Sequence, residues 1–321
     1  MPRVSVVIPT FRRREALLRL LEALGRQSLP ATEFEVIVVV DGSDDGSREA
    51  AEALSTPYAL RVLWQENRGR SAARNVGLGA ARGELVVMLD DDMVPAPHLL
   101  TEHARAHESG DAVAVMGAVP VLLTETTPAP AAYVGAKFNR HMERLAHTGA
   151  PVTLRDFYGG NLSVRRDVLA RVRGFDEGFT RYGNEDLELS LRLSAAGVRI
   201  AFAPAAVAFQ SYDKDFPGLA EDTVSKGRTA VLLARKHPQA RQDLKFGSAD
   251  RDPLMRRIVV GVLLAATRLM PATHGWIVRG MTGLGERRRG LALRLYAPVL
   301  DYLYWCGVRE AERDVTPDGA T

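Results

Sequence analysis

Three consecutive carboxylates, Asp90, Asp91 and Asp92, follow directly on the apolar run Leu85 to Leu89. Like charges this close repel one another in an apolar setting unless a cation lies among them. In an extended segment alternate side chains share a face, so Asp90 and Asp92 are expected to point together. A hard cation such as Mg²⁺ takes one or two carboxylates and leaves its other positions to phosphates and water. The triplet therefore reads as a diphosphate site. A plainer alternative, that one of the three caps the helix announced by Pro95 and Pro97, accounts for one aspartate and not for three.

Two further clusters carry acids. Asp41-Gly42-Ser43-Asp44-Asp45-Gly46-Ser47 follows the run Glu35 to Val40; Asp-Gly pairs mark turns and Ser47 suits a helix start. At the end of an inner strand, Asp41 could also accept the imide N–H of a pyrimidine base. Asn184-Glu185-Asp186 comes after Gly159-Gly160-Asn161 and Gly174-Phe175-Asp176-Glu177. Glu185 and Asp186 suit a helix start, where acids complement the dipole, and one of them could equally be a general base. Of the seven histidines only His103 and His107 have helical spacing; with no third ligand evident beside them, they read as surface residues.

These clusters need elements to hold them. Up to about residue 120, short β-branched runs alternate with longer helical stretches, the pattern of βαβ units on a parallel sheet. The runs are Val4 to Ile8, Glu35 to Val40, Leu60 to Trp64, Leu85 to Leu89 and Ala112 to Val119. Helices are expected over Arg14 to Gln27 and over Ser71 to Arg82, which ends at Gly83. Trp64 reads as a core residue at a strand end. In such sheets ligands bind beyond the carboxyl ends of the strands, where the acids stand. Residues 121–158 show no clear period and read as an irregular connection. Glu185 to Leu193, followed by Gly197, reads as a helix.

Composition excludes several classes. Of 321 residues, 46% are apolar and 25% charged, as in ordinary globular domains, which rules out disordered or fibrous chains. The single cysteine, Cys306, excludes a disulfide framework and a cysteine-built zinc site. The net charge of +3 does not argue for nucleic acid, so no nucleic-acid partner is expected. No apolar run reaches the ~20 residues of a spanning helix. From Arg251 to Arg309, however, ten arginines face three acids, within the helix-length apolar stretches Leu254 to Met270 and Leu291 to Trp305. An amphipathic helix pair packed on the main domain and a membrane-surface helix with snorkelling arginines both fit that pattern. A cytoplasmic protein, peripheral at the inner membrane face, is the expectation.

The ordered set Val4-Ser5-Val6-Val7-Ile8-Pro9-Thr10, Val38-Val39-Val40-Asp41-Gly42-Ser43, Asn67 to Gly69 with Ala73-Arg74-Asn75-Val76-Gly77, Leu89 to Asp92, Gly174 to Glu177 and Glu185-Asp186 resembles family 2 glycosyltransferases of the GT-A fold. The match covers about residues 1–212. The resemblance implies an α/β fold, a mostly parallel Rossmann-like sheet flanked by helices, with a mainly helical C-terminal extension. The chain is expected to divide into a catalytic domain over 1–215 (nucleotide-binding to about 120, donor and acceptor from 121), a basic helical region over 216–315 and a disordered tail over 316–321. The resemblance implies sugar transfer from a nucleotide-diphosphate sugar, a UDP-sugar by preference, to an acceptor hydroxyl, with inversion and with Mg²⁺ or Mn²⁺. Carried over by position, Pro9, Thr10, Asp41, Arg74, Asp90 and Asp91 would bind nucleotide, with Asp41 at the base and Asp90 near the ribose. Gly160 and Asn161 would border the donor sugar. Asp92, with Asp90 and Gln210, would hold the metal, and Asp186, with Glu185 beside it, would be the base.

Two positions depart from the family pattern. Val40 stands where a first aspartate is common, and Gln210 where many relatives carry histidine; an amide is a poorer transition-metal ligand than imidazole. These departures keep open a nucleotide-sugar-binding subunit without catalysis, and paired aspartates on a parallel sheet would also serve a metal-dependent nucleotidyltransferase. The segment Tyr212 to Phe216 is the expected acceptor wall, and one of Arg12, Arg13 and Arg14 could face an anion rather than solvent.

Overall fold

The computed structural model describes residues 1–108, 113–148, 152–246 and 253–314. The expected tail over 316–321, the strand start at Ala112 and the charges at 251 and 252 lie outside the described residues. Two compact units are distinguished, the first comprising Met1–Leu122, Lys137–Thr180 and Glu185–Tyr212.

In the first unit the β-branched runs form strands because their side chains are buried on both faces, as a helix-covered parallel sheet requires. The strands are β1 (Val4–Thr10), β2 (Phe34–Asp41), β3 (Ala59–Gln65), β4 (Leu85–Leu89), β5 (Met93–Pro95), β6 (Val113–Ala118), β7 (Asn161–Arg165) and β8 (Arg199–Gln210). They lie in the order β3-β2-β1-β4-β7-β6-β8-β5. The pairs β1–β2, β2–β3, β1–β4 and β6–β8 are parallel, whereas β7 runs antiparallel to β4 and β6, and β5 antiparallel to β8. Pro9 fits because β1 pairs with β4 only through Val7, so its missing N–H removes no ladder bond on that side.

The helices of this unit are α1 (Arg14–Leu24), α2 (Ser47–Glu52), α3 (Arg70–Ala80), α4 (Leu99–Ala106), α6 (Arg166–Arg171) and α7 (Glu185–Ala195), with α5 (Ala129–Thr148) entering it from Lys137. Helix α1 buries Leu17, Leu20, Leu21 and Leu24, one stripe at i, i+3, i+4 and i+7. Helix α3 meets the sheet through Gly77, where a Cβ would collide with Val7 Cγ1. Two apolar layers result, one containing Leu17, Val38 and Leu89, the other Val39, Met88 and Phe175.

Three sequence expectations are corrected. The connection over 121–158 contains the 20-residue helix α5, whose apolar positions are diluted by alanine and charged residues and so give little visible period. Trp64 is 48% exposed, because β3 is the edge of the sheet. His103 is fully buried, with Nδ1 against Ser163 Oγ at 2.8 Å and Nε2 against Asn161 Oδ1 at 2.8 Å, and His107 Nε2 meets the same Ser163 Oγ.

The second unit comprises Leu123–Ala136, Arg181–Asn184 and, among the described residues, the chain from Asp213 on. Its helices are α8 (Phe216–Lys236), α9 (Leu254–Leu269), α10 (Ala272–Arg287) and α11 (Arg289–Arg313). Gly227 of α8 and Gly307 of α11 let these two helices touch backbone to backbone, since a Cβ at either would strike the other helix. Two residues of the expected acceptor wall, Asp215 and Phe216, are engaged within this unit. Asp215 caps α8 by accepting the Gly218 N–H, and Phe216 is buried, stacked on Tyr296 at 5.2 Å.

Candidate active site

The first unit gathers its acids beyond the carboxyl end of β4 and at the start of α7, with Thr10 and Arg13 at the end of β1 beside them. Asp90 leaves β4 with its N–H donating to the Gly160 carbonyl at 3.0 Å. Its carboxylate accepts from Arg74 Nη2 at 2.8 Å, and Arg70 Nη1 stands 3.7 Å away. Arg74 is only 1% exposed. It also donates through Nη1 to Glu185 Oε1 at 3.3 Å, and its guanidinium lies over the Phe175 ring. One buried arginine on α3 thus ties the end of β4 to the start of α7.

Asn75 explains why that arginine is rigidly aimed. Its amide donates to the Phe175 carbonyl and accepts the Phe175 N–H, which clamps the Gly174–Glu177 turn against α3. Gly174 adopts φ +61 at that turn, and a Cβ there would meet the Asn75 side chain.

Asp91 accepts from Thr10 Oγ1 at 2.8 Å, and Asp92 Oδ2 accepts from Arg13 Nη1 at 3.0 Å and from Gln210 Nε2 at 3.3 Å. Asp92 Oδ1 is buried and accepts no hydrogen bond among the described residues. Burial, with Asp92 and Asp90 adding to it, pushes the Asp91 carboxyl up to about 7 despite Arg13 and Thr10 beside it. Burial and then Asp90 raise Asp92 as well. Burial alone would raise Asp90, but Arg70 and Arg74 outweigh it and hold the group below the ordinary carboxylate range.

Asp186 accepts the Gly159 N–H at Oδ2 and the Leu187 N–H at Oδ1. Burial, then the charge of Glu185, lift its carboxyl up to about 6, against Arg74 and the two backbone donors. The two neighbouring acids are therefore different chemically: Glu185 is bound by Arg74, while Asp186 touches only backbone donors among these bonds and stays protonatable. Gly160 is pressed on the same cluster, with a built Cβ only 2.8 Å from Asp90 Oδ2.

Thr10, Arg74, Asp90, Asp91, Asp92, Gln210, Gly160, Glu185 and Asp186 are thus joined by direct contacts. Asp41 stands apart. Its carboxylate accepts from Gln65 Nε2 and the Arg68 N–H at Oδ1 and from the Gly69 N–H at Oδ2, so its evident task is to anchor the turn into α3. Asn161 is fully buried, and its amide donates to the Ala118 and Ala206 carbonyls while accepting at His103. It holds β7 in place beneath Gly160. Arg70 was missed in the sequence. It lies one position beyond the Asn67 to Gly69 motif, and only the spacing of four to Arg74 hinted at a shared face.

Among the described residues no trio of His, Cys, Asp or Glu forms a closed metal cage, and Mg²⁺ beside phosphates needs none. Five carboxyls (Asp90, Asp91, Asp92, Glu185, Asp186) face three guanidinium groups (Arg13, Arg70, Arg74), and Asp92 keeps an unsatisfied buried oxygen. That donor set fits a hard cation. Gln210 presents its N–H to Asp92, so it orients the carboxylate instead of offering an oxygen ligand.

Comparison with known proteins agrees with this fold. The glycosyl transferase family 2 profile matches residues 5–173, and the profile described as the N-terminal domain of galactosyltransferase matches residues 140–214. A validoxylamine A glucosyltransferase of Streptomyces hygroscopicus subsp. jinggangensis is 30% identical over 279 residues, covering 78% of this chain and 64% of the relative. Chondroitin synthase of Escherichia coli is 27% identical over 287 residues, covering 78% of this chain and 41% of the relative. The chain therefore spans less than two thirds of the length of either. The mannosyltransferase PcManGT of Pyrobaculum calidifontis, solved with GDP-Man and Mn²⁺, superposes with a TM-score of 0.66 at 22% identity over 98% of this chain and 88% of its own. S. aureus TarS 1-349 in complex with UDP-GlcNAc gives 0.55 at 19% identity, over 98% and 92%. These likenesses establish the GT-A fold. With more than half of its length, from β1 through α6, matched by the family profile, the chain belongs to glycosyl transferase family 2.

Proposed function

We propose that this protein transfers a sugar from a nucleoside-diphosphate sugar, a UDP-sugar in the first instance, to an acceptor hydroxyl, with inversion at the anomeric carbon. The observation that carries the reading is the meeting of the Asp90–Asp92 segment, Gly160 and the Glu185–Asp186 pair through the single buried Arg74. Proteins of the same fold that bind GDP-Man or UDP-GlcNAc support the donor class.

In this reading Arg13 and Arg70 attract the diphosphate, and Gly160 leaves room for the donor sugar where a side chain would press on Asp90. Asp41 fixes the Arg68–Gly69 turn at the base end and keeps a lone pair on Oδ2 for a base N–H. Asp92, with Asp90, would hold Mg²⁺ or Mn²⁺, which supplies Lewis-acid stabilisation of the departing diphosphate. Asp186 takes the acceptor proton as the new C–O bond forms and the bond to phosphate breaks. Glu185 does not serve equally, because its carboxylate is engaged by the buried Arg74. The acceptor is a hydroxyl on a glycan, a lipid-linked intermediate or a secondary metabolite, and the basic, apolar C-terminal helices favour a peripheral membrane contact. Among the described residues no helix is long and apolar enough to cross a membrane.

A thermal-shift panel of UDP, GDP, CDP and dTDP, each with and without Mn²⁺, tests the reading, since a ligand at ~100 times its dissociation constant stabilises by about 2.7 kcal/mol. One diphosphate giving an ion-dependent shift is expected. Absence of any shift would withdraw the donor site, and release of pyrophosphate from a nucleoside triphosphate would select a nucleotidyltransferase.

A further inference from the structure

The second unit carries a feature that the transfer chemistry does not use. Helix α9 buries Val260 and Leu264, yet its opposite side is also apolar. Leu254 is 69% exposed, Val262 61% and Leu269 83%, with Met255 and Ile258 exposed between them. Trp276 near the start of α10 and Leu291 and Leu295 on α11 are exposed as well. A helix apolar on both sides leaves one side unpartnered. The surrounding charge says what suits it: from 254 to 309 the chain has nine arginines and two acids.

A cavity of about 220 Å³ opens between α9 and α11. Residues 256, 257, 260, 261 and 264 supply one face of α9, and residues 301, 305 and 309 supply one face of α11 at spacings of four. Arg256, Arg257 and Arg309 provide its charge, and Val260, Leu264 and Trp305 provide apolar wall. Its one acid, Asp301, already pairs with Lys245 and Arg256. Gly261 widens the opening, and a Cβ built there meets no atom within 4 Å.

We infer that α9 is the surface by which the protein docks on an anionic bilayer, and that the Arg256–Arg257–Arg309 cavity takes the phosphate of one lipid headgroup. Arginine is suited to both tasks, because its fork pairs with phosphate oxygens and its stem lies along apolar surface. The exposed leucines and valines enter the acyl boundary while the arginines stay at headgroup level. This narrows the membrane contact proposed above and is independent of which nucleotide the first unit binds.

The test is co-sedimentation of the full chain with phosphatidylcholine vesicles with and without phosphatidylglycerol. Binding is expected only when phosphatidylglycerol is present. Arg257→Gln combined with Arg309→Gln should weaken it about thirtyfold, at roughly five- to sixfold per arginine. Gly261→Gln changes no charge and has room to fold, so it should obstruct the cavity and weaken binding about tenfold, the loss of one charge-assisted hydrogen bond. Each variant should keep the wild-type melting temperature and nucleotide shift, which separates this result from the fate of the donor site. Wild-type protein that ignores phosphatidylglycerol vesicles, or Gly261→Gln that binds them like wild type, overturns the headgroup site. Lipid-free self-association that Val262→Ser abolishes would assign the face to a second copy and overturn the docking surface.

Discussion

Replacing Asp186 by asparagine separates the role of its charge from that of its shape. The carboxyl titrates near 6 in the folded protein against an ordinary 3.8, because burial and Glu185 oppose its ionisation. Between those two values the folded protein holds a proton that the unfolded chain releases. Ionisation of this group therefore destabilises the fold progressively as pH rises through that window, and fully above about 6. The displacement corresponds to about 3 kcal/mol, which partial exposure of the side chain reduces to roughly 2 kcal/mol. Asparagine has no such titration, and of the bonds from the Gly159 and Leu187 N–H groups its single carbonyl keeps one, at a cost of about 1 kcal/mol. Urea unfolding of both proteins should thus show the difference in stability shifting by roughly 2 kcal/mol in favour of Asp186→Asn between pH 4 and pH 8. Turnover should move the other way. A general base contributes 10²–10⁴-fold, so release of nucleoside diphosphate from the donor should fall by about that factor, and the acidic limb near pH 6 should vanish. Near-normal turnover, or an acid limb that survives the substitution, would refute the assignment. A stability difference that does not change with pH would refute the burial argument behind it.

Three other substitutions probe the remaining parts. Asp92→Ala removes the carboxylate with the unsatisfied buried oxygen and should abolish the Mn²⁺ dependence of nucleotide-diphosphate binding in calorimetry; an unchanged dependence moves the ion elsewhere. Gly160→Ala places a methyl group 2.8 Å from Asp90 Oδ2 and should cost about 1–3 kcal/mol of stability by overpacking together with weaker donor-sugar binding; a neutral outcome in both assays would show that the cluster yields. His103 is held down to about 4 by burial against an ordinary 6.5, so the folded form binds fewer protons than the unfolded between those values. Its contribution is complete above pH 6.5 and is lost as pH falls toward 4, about 2 kcal/mol of it by pH 5. In urea unfolding at pH 7 and pH 5, His103→Gln should be less acid-sensitive than wild type, and equal sensitivity would contradict the assigned cause.

Local chemistry made much of this protein readable in advance. A β-branched run buried on both faces can form little except an inner strand, so β1, β2 and β4 appear in the sequence almost to their ends, and the acids at the ends of β2 and β4 must stand at the carboxyl edge of the sheet. The Leu17 to Leu24 stripe and the acidic start of α7 were legible for the same reason, since each depends on residues within one or two turns. Helix α5 and the exposure of Trp64 were not, because dilution by alanine hides a period and edge position depends on strand order.

What the sequence alone determined is therefore the list of reactive groups and the side of the sheet on which they emerge. The tertiary structure decided their chemical states. Arg74 meets Glu185 across 111 positions of chain, and that contact engages Glu185 while burial leaves Asp186 the protonatable neighbour. Arg13 on Asp92, Asn75 on the Phe175 turn and His103 beneath Asn161 are likewise long-range pairings. Burial and opposing charge set a carboxyl's proton affinity through distances of a few ångströms, and those distances exist only once remote segments have been folded together.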